Sequence, residues 1–247
     1  MTDKKRRDFL KNTALTITGV LGANAMASTV AADSLLGGTG EKRKIIGINT
    51  SHRPGKTCAE SIKIVLDAIQ AADPSLETEM LELATLNFGF PVVGGEQPVD
   101  DLDMVLEKIT AADCAGFVLA SPVYFGLPSA RCVALIDRLS PVRKDWGLKN
   151  KVLGLVAVAG GRNGGQETVL HAMSNSLVAQ QVILAVDAPP TSHWGGTLWN
   201  QKDTVANDEF GISTAKNLGT RIAELVTLTT ETDGGMGGLG GGMGGRY

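Results

Sequence analysis

The chain has 247 residues, 43% of them hydrophobic and 20% charged, with a formal net charge of −3. That is enough chain for one sizeable core, and the charge gives no surface suited to nucleic acid or another polyanion. Cys58, Cys114 and Cys132 show no Cys-x-x-Cys spacing and no neighbouring histidines. No zinc or iron–sulfur ligand set is therefore legible, and no metal ligands are assigned.

The first 27 residues read as a targeting segment. Lys4, Lys5, Arg6 and Arg7 precede a modest apolar run from Ala14 to Ala25, and Ala25-Met26-Ala27 is a small-x-small cleavage pattern. The run is too short and too weakly apolar to span a bilayer. Arg6-Arg7-Asp8-Phe9-Leu10-Lys11 resembles the twin-arginine export signal, with Lys5 where Ser or Thr is usual. The resemblance implies a periplasmic protein exported in the folded state, often with its cofactor installed. Removing residues 1–27 takes away five basic and two acidic residues and leaves a more acidic chain. Residues 28–43 read as a linker.

The folded part begins at 44–49, KIIGIN, a short apolar run that reads as a buried strand. Ile62, Val65, Leu66 and Ile69 then recur at helical spacing over 57–72, and Asp73-Pro74 ends the helix. Residues 76–83 alternate like a second strand, and 84–100 form a long loop with two prolines and three glycines. A helix over 101–112 follows, then an apolar strand over 115–121 and a helix over 129–139. A strand over 151–160, a helix over 166–179 and a strand over 181–186 come next. A loop with two prolines and two tryptophans runs to about residue 205, and a helix over 207–228 closes the domain, taken as 44–230. Nine of residues 231–247 are glycine, and the segment cannot repay the entropy of ordering, so a disordered tail is expected.

Five strands alternate strictly with five helices. The unbroken apolar runs in strands three to five imply a parallel sheet covered on both faces. With a ligand loop after the first strand, the expected fold is a flavodoxin-like three-layer sandwich, a five-stranded parallel sheet of order 2-1-3-4-5. Ligands in such a sheet sit beyond the carboxyl ends of the strands, so the loops after strands one, three and four hold the chemistry.

The first loop, NTSHRPGKT (49–57), ends like a nucleotide-triphosphate loop. Counting back from Gly55, however, Thr50 stands where the first Gly is required, and strands three and four end without a carboxylate for magnesium. One phosphate at a helix start fits better: free N–H groups, the hydroxyls of Ser51 and Thr57, and the guanidinium of Arg53. His52 faces solvent by default. In the second loop, Pro122, Val123, Tyr124, Phe125 and Gly126 offer a flat wall for a planar ligand. In the third, Gly160, Gly161, Gly164 and Gly165 flank Arg162 and Asn163. This loop allows backbone amides to approach a ring edge, with Arg162 offsetting charge on a reduced ring and Asn163 bonding its edge.

Ser51-x-Arg53-x-x-x-Thr57, SPVYFG, LIDR, GGRNGGQET and NDEFGISTAKNLGTRIAEL together resemble the NADPH-dependent FMN reductase family, over about residues 44–226 and nearest its iron–sulfur flavoproteins. The resemblance implies FMN, with its phosphate on Ser51, Arg53, Gly55, Lys56 and Thr57. The isoalloxazine would lie against Pro122, Val123, Tyr124, Phe125, Gly126, Gly160, Gly161, Arg162, Asn163 and Gly164. It also implies NAD(P)H as a possible donor and a homodimer or homotetramer, with residues 193–199 either reaching a neighbouring subunit or capping their own. The iron–sulfur branch carries a cysteine motif after its second strand. This chain has none there, so no cluster is expected. The reading is an FMN-dependent oxidoreductase with no catalytic side chain; its rival is a periplasmic flavodoxin-like shuttle without its own substrate.

Overall fold

The computed structural model describes residues 42–92, 96 and 98–233. The expected signal segment, most of the linker and the tail from 234 onward lie outside them. Strand β1 (Lys44–Asn49) leads into helix α1 (Thr57–Ala72), strand β2 (Glu77–Glu82) and a 3-10 turn (Leu83–Thr85). Then come α2 (Leu102–Thr110), β3 (Cys114–Pro122), α3 (Ala130–Asp137), α4 (Ser140–Lys144) and β4 (Val152–Ala159). Helix α5 (Gln166–Leu177), β5 (Ile183–Ala185), β6 (Gly196–Trp199) and α6 (Glu209–Asp233) complete the fold.

The sheet is parallel with order β2-β1-β3-β4-β5, as expected of a flavodoxin-like fold. Period-two alternation sends successive side chains of each strand to opposite faces. Ile45, Val118, Val152 and Val156 pack under α1 and α6 with Ile62, Ile69, Leu218 and Ile222. Ile46, Phe117, Leu119 and Leu155 pack under α2, α3 and α5 with Val105, Leu135 and Met173. Every residue of β4 is buried, which is why its run lacks polar alternation. At Gly219 a Cβ would fall 2.5 Å from the Val65 carbonyl oxygen, so only glycine permits this approach of α6 to α1.

The structure corrects several boundaries. A sixth strand, β6, lies inside the expected loop up to residue 205 and pairs in parallel with the upper half of β4, while β5 pairs with the lower half. The fifth position of the sheet is thus filled by two pieces. β6 is four residues long, too short for periodicity to reveal, and its partner β4 decides its state. β5 is half-buried and shorter than expected, as suits an edge. The run after α3 turns at Arg138 and Leu139 into α4. Helix α6 extends to Asp233, three residues into the expected tail.

Candidate functional site

The loops after β1, β3 and β4 meet at the carboxyl end of the sheet. Thr50, the residue that breaks the triphosphate pattern, is fully buried; its N–H and hydroxyl both donate to the Ala120 carbonyl at 3.0 and 2.8 Å. Its own carbonyl accepts from Ser129 Oγ at 2.8 Å, and Ser129 Oγ also caps α3. Thr50 therefore stitches the first loop to the second. Asn49 Oδ1 accepts from the Ser51 N–H at 2.9 Å, and Ser51 Oγ accepts from the Arg53 N–H at 3.1 Å. No side chain caps α1 at Lys56, so the first-turn N–H groups face the loop.

Two carboxylates absent from the sequence reading touch this loop. Glu82, paired with Asn49 in the β1–β2 register, accepts from the Gly55 N–H at 3.1 Å and from Asn49 Nδ2 at 2.6 Å. Asp203 lies 2.6 Å from Arg53 Nη1 and 3.9 Å from Lys56 Nζ. The Asp203 hydrogen bond holds the Arg53 guanidinium even more firmly charged than usual, and Arg53 in turn lowers the Asp203 carboxyl. The Glu82 contact follows from strand register; the Asp203 contact spans 150 positions and has no local signal.

In the second loop, Tyr124 and Leu127 exchange backbone hydrogen bonds at 3.0 Å around Phe125-Gly126. Both central residues have positive φ, 53° and 79°. That is the pattern of a type I′ turn, which glycine accepts freely and phenylalanine only under strain. The turn projects Phe125 fully into solvent, beside half-exposed Tyr124 and exposed Leu127. His52 is exposed, as expected, and stacks on Tyr124 with centroids 5.9 Å apart.

Gln166 organises the third loop. Its Oε1 accepts from the Gly164 N–H at 2.9 Å, and its Nε2 donates to the Gly161 and Leu198 carbonyls at 2.7 and 3.1 Å. Gly165, with φ 95°, abuts the second loop; a Cβ there would lie 3.5 Å from Val123 Cγ1. Arg162 turns toward β6: it donates to the Thr197 carbonyl at 2.9 Å, pairs with buried Asp208 and lies 5.5 Å from the Phe210 ring centroid. With Asn163, His193 and Thr168 it lines a lateral cavity of about 320 Å³. The 193–199 segment is built into its own subunit: Gly196–Trp199 is β6, and Trp199 Nε1 donates to the Gly160 carbonyl at 3.1 Å.

The structure thus brings Ser51–Thr57, Pro122–Gly126 and Gly160–Gly164 to one end of the sheet and directs the Arg162 guanidinium to one side. A Cβ built on Gly55, Gly126, Gly160 or Gly161 would meet nothing within 4 Å. Such an open, glycine-lined cradle beside cations and uncapped N–H groups fits a phosphorylated planar ligand. The fold is flavodoxin-like, with this cradle at the carboxyl end of its sheet.

A family model of NADPH-dependent FMN reductases matches residues 43–188. An iron–sulfur flavoprotein of Methanocaldococcus jannaschii is 40% identical over 194 residues, covering 75% of this chain and 98% of the relative. Another, from Methanosarcina thermophila, is 31% identical over 198 residues, covering 75% and 96%. The solved structure of RosB, with bound 8-demethyl-8-formylriboflavin-5′-phosphate, superposes with a TM-score of 0.62 at 16% identity over 77% of this chain and 81% of that one, a likeness of fold. The chain belongs to the NADPH-dependent FMN reductase family; FMN is its cofactor and flavin oxidoreduction its chemistry.

The relatives are named for an iron–sulfur cluster, and this chain has three cysteines. The three cysteines sit on α1, at the start of β3 and on α3, all buried. Burial pushes the Cys58 and Cys132 thiols up to about 12, as suits small core side chains. Among the described residues, no group of three or more His, Cys, Asp and Glu side chains could hold a metal ion.

Proposed function

We propose that this is an exported FMN-dependent oxidoreductase that passes electrons from NAD(P)H, a quinol or a redox protein to a flavin, quinone or metal acceptor. The open glycine-lined end of the sheet, where three loops converge, carries this reading. Bound FMN would supply the redox centre, accepting electrons from the donor and releasing them to the acceptor. Ser51, Arg53, Gly55, Lys56 and Thr57 would hold its phosphate through N–H, hydroxyl and cationic donors. Pro122–Gly126 would back the ring, and Gly160, Gly161 and Gly164 would let main-chain groups reach its edge. Asn163 would hydrogen-bond that edge, and Arg162 would act through its position behind the loop. Electron or hydride transfer at the flavin requires no separate acid or base from the chain.

Exposed Tyr124, Phe125 and Leu127 supply an apolar rim to the cleft. This rim suits a second copy, in a homodimer or homotetramer, and it also keeps the rival reading of a protein-to-protein electron shuttle in view. The deciding experiment is anaerobic titration of the purified protein with NADPH and with dithionite, followed in the visible spectrum. Bleaching by both supports the reductase. Bleaching by dithionite alone favours the shuttle or a quinol-linked enzyme. A colourless protein that takes up no FMN overturns the site. Export is tested by fusing residues 1–27 to a reporter: replacing Arg6-Arg7 with lysines should retain the reporter in the cytoplasm.

A further inference from the structure

The Lys202-Asp203 turn is an unusual place for ordinary side chains. Gln201 and Thr204 bridge across it, and its two central residues have φ of 55° and 67°. Neither is glycine, so the turn holds two residues in the left-handed region that side chains rarely adopt. Three contacts keep it there. Asn200 Oδ1 accepts from the Asp203 N–H at 2.9 Å. Glu60, in the first turn of α1, accepts from Thr204 Oγ1 at 2.9 Å and from the Val205 N–H at 3.0 Å. The result is a carboxylate directed at the one guanidinium of the first loop, 2.6 Å from Nη1, and within 3.9 Å of Lys56.

A carboxylate and a phosphate make the same demand on a guanidinium: two acceptor oxygens in a plane. Asp203 already engages Arg53 Nη1, so a phosphate on the same guanidinium must share it. We propose that Asp203 is an internal competitor for Arg53, standing in for the FMN phosphate and so setting how tightly this chain retains its flavin. This rests on the phosphate lying on the 51–57 loop, as proposed above. A dianion arriving there must share Arg53 with Asp203 and sit beside a like charge. A departing phosphate leaves Arg53 with a replacement partner. Both effects weaken retention, and FMN exchanges more freely than the loop's two cations alone would allow. The pair is half-exposed, so the effect is modest: an exposed ion pair of this kind alters an equilibrium by roughly two- to fivefold.

The test is equilibrium binding of FMN, and of riboflavin as a ligand without the phosphate, measured by quenching of flavin fluorescence. Asparagine tolerates the left-handed region, so Asp203→Asn keeps the turn and removes the charge. Asp203→Asn should tighten FMN binding roughly two- to fivefold, slow FMN dissociation and leave riboflavin unchanged. In an Arg53→Ala background the same substitution should tighten FMN binding less, because only the like charge beside the phosphate is then removed; equal tightening in both backgrounds would overturn competition for Arg53. If Asp203→Asn weakens FMN binding, Asp203 positions Arg53 for the phosphate and the competitor role is overturned. If it changes nothing while Arg53→Ala weakens FMN binding, the competitor role also fails, but the phosphate site stands. If neither variant alters FMN binding, the phosphate lies elsewhere and both readings fall.

Discussion

Among the described residues, Arg138 heads the large, fully buried side chains, and it is charged. Its Nη1 donates to Asp100 Oδ2 at 2.8 Å and to the Gly89 carbonyl at 3.2 Å; Nη2 donates to the Pro98 carbonyl at 2.9 Å and to Asp100 Oδ1 at 3.2 Å. Asp100 also accepts from the Gly89 and Leu102 N–H groups at 2.9 and 3.1 Å. One guanidinium thus fastens both ends of the loop between β2 and α2. Arg138→Met keeps the stem's apolar contacts and strands the Asp100 carboxylate, whose side chain is 13% exposed. Breaking a buried pair from one side costs about 3–5 kcal/mol; the two remaining backbone donors and the edge of solvent place this one near 3. For a domain of this size that lowers Tm by roughly 6–12 °C. Thermal unfolding followed by circular dichroism measures it, and a cycle with Asp100→Asn isolates the pair, with the double variant losing less than the two singles together. A drop of under about 3 °C for Arg138→Met, or strict additivity in the cycle, would refute the loop-fastening role.

Gly160→Ala and Gly161→Ala should leave stability within about 0.5 kcal/mol, because a Cβ at either position meets nothing within 4 Å, yet both should weaken FMN binding in fluorescence titrations. Stability should hold from neutral pH down to about 4 and fall below it. Burial pushes the Asp100 carboxyl up, but the hydrogen bonds from Arg138, Gly89 and Leu102 together with the Arg138 charge outweigh it, and Lys44 lowers Asp113. Folded values below the unfolded ones give stability that is present above the unfolded pKa and lost as pH drops through the folded values. Urea midpoints at pH 6, 4 and 3 check this. Native protein should react slowly with a thiol reagent and reveal three thiols on unfolding; reconstitution with iron and sulfide should yield no cluster absorbance.

What the sequence made legible depended on how local the cause was. β3 and β4 are buried on both faces, so their unbroken apolar runs announced them. The phosphate loop could be judged because Thr50 occupies a position where one residue type decides between two chemistries. The same Thr50 shows the limit: its burial and its bonds to Ala120 and Ser129 depend on residues about 70 and 80 positions away. Asp203 reaches Arg53 from a turn after β6, a strand whose pairing is supplied by β4. Arg162 looked suited to the ring because of its neighbours in the chain, but Asp208 and Thr197, neighbours only in space, claim its guanidinium. Arg138 belonged to a motif of the family resemblance, and nothing in that motif discloses that it fastens the loop after β2.

The division of the sheet's fifth position has a consequence for how the protein behaves at high concentration. A long bare edge strand is a template on which another chain can add its own backbone. Here one margin is broken into pieces of three and four residues with the 186–195 segment between them. The other margin, β2, carries Glu77, Glu79 and Glu82. The first margin offers no long run of main chain and the second is charged, so self-association through the sheet is discouraged at both sides. Copies of this protein that meet should meet through side chains.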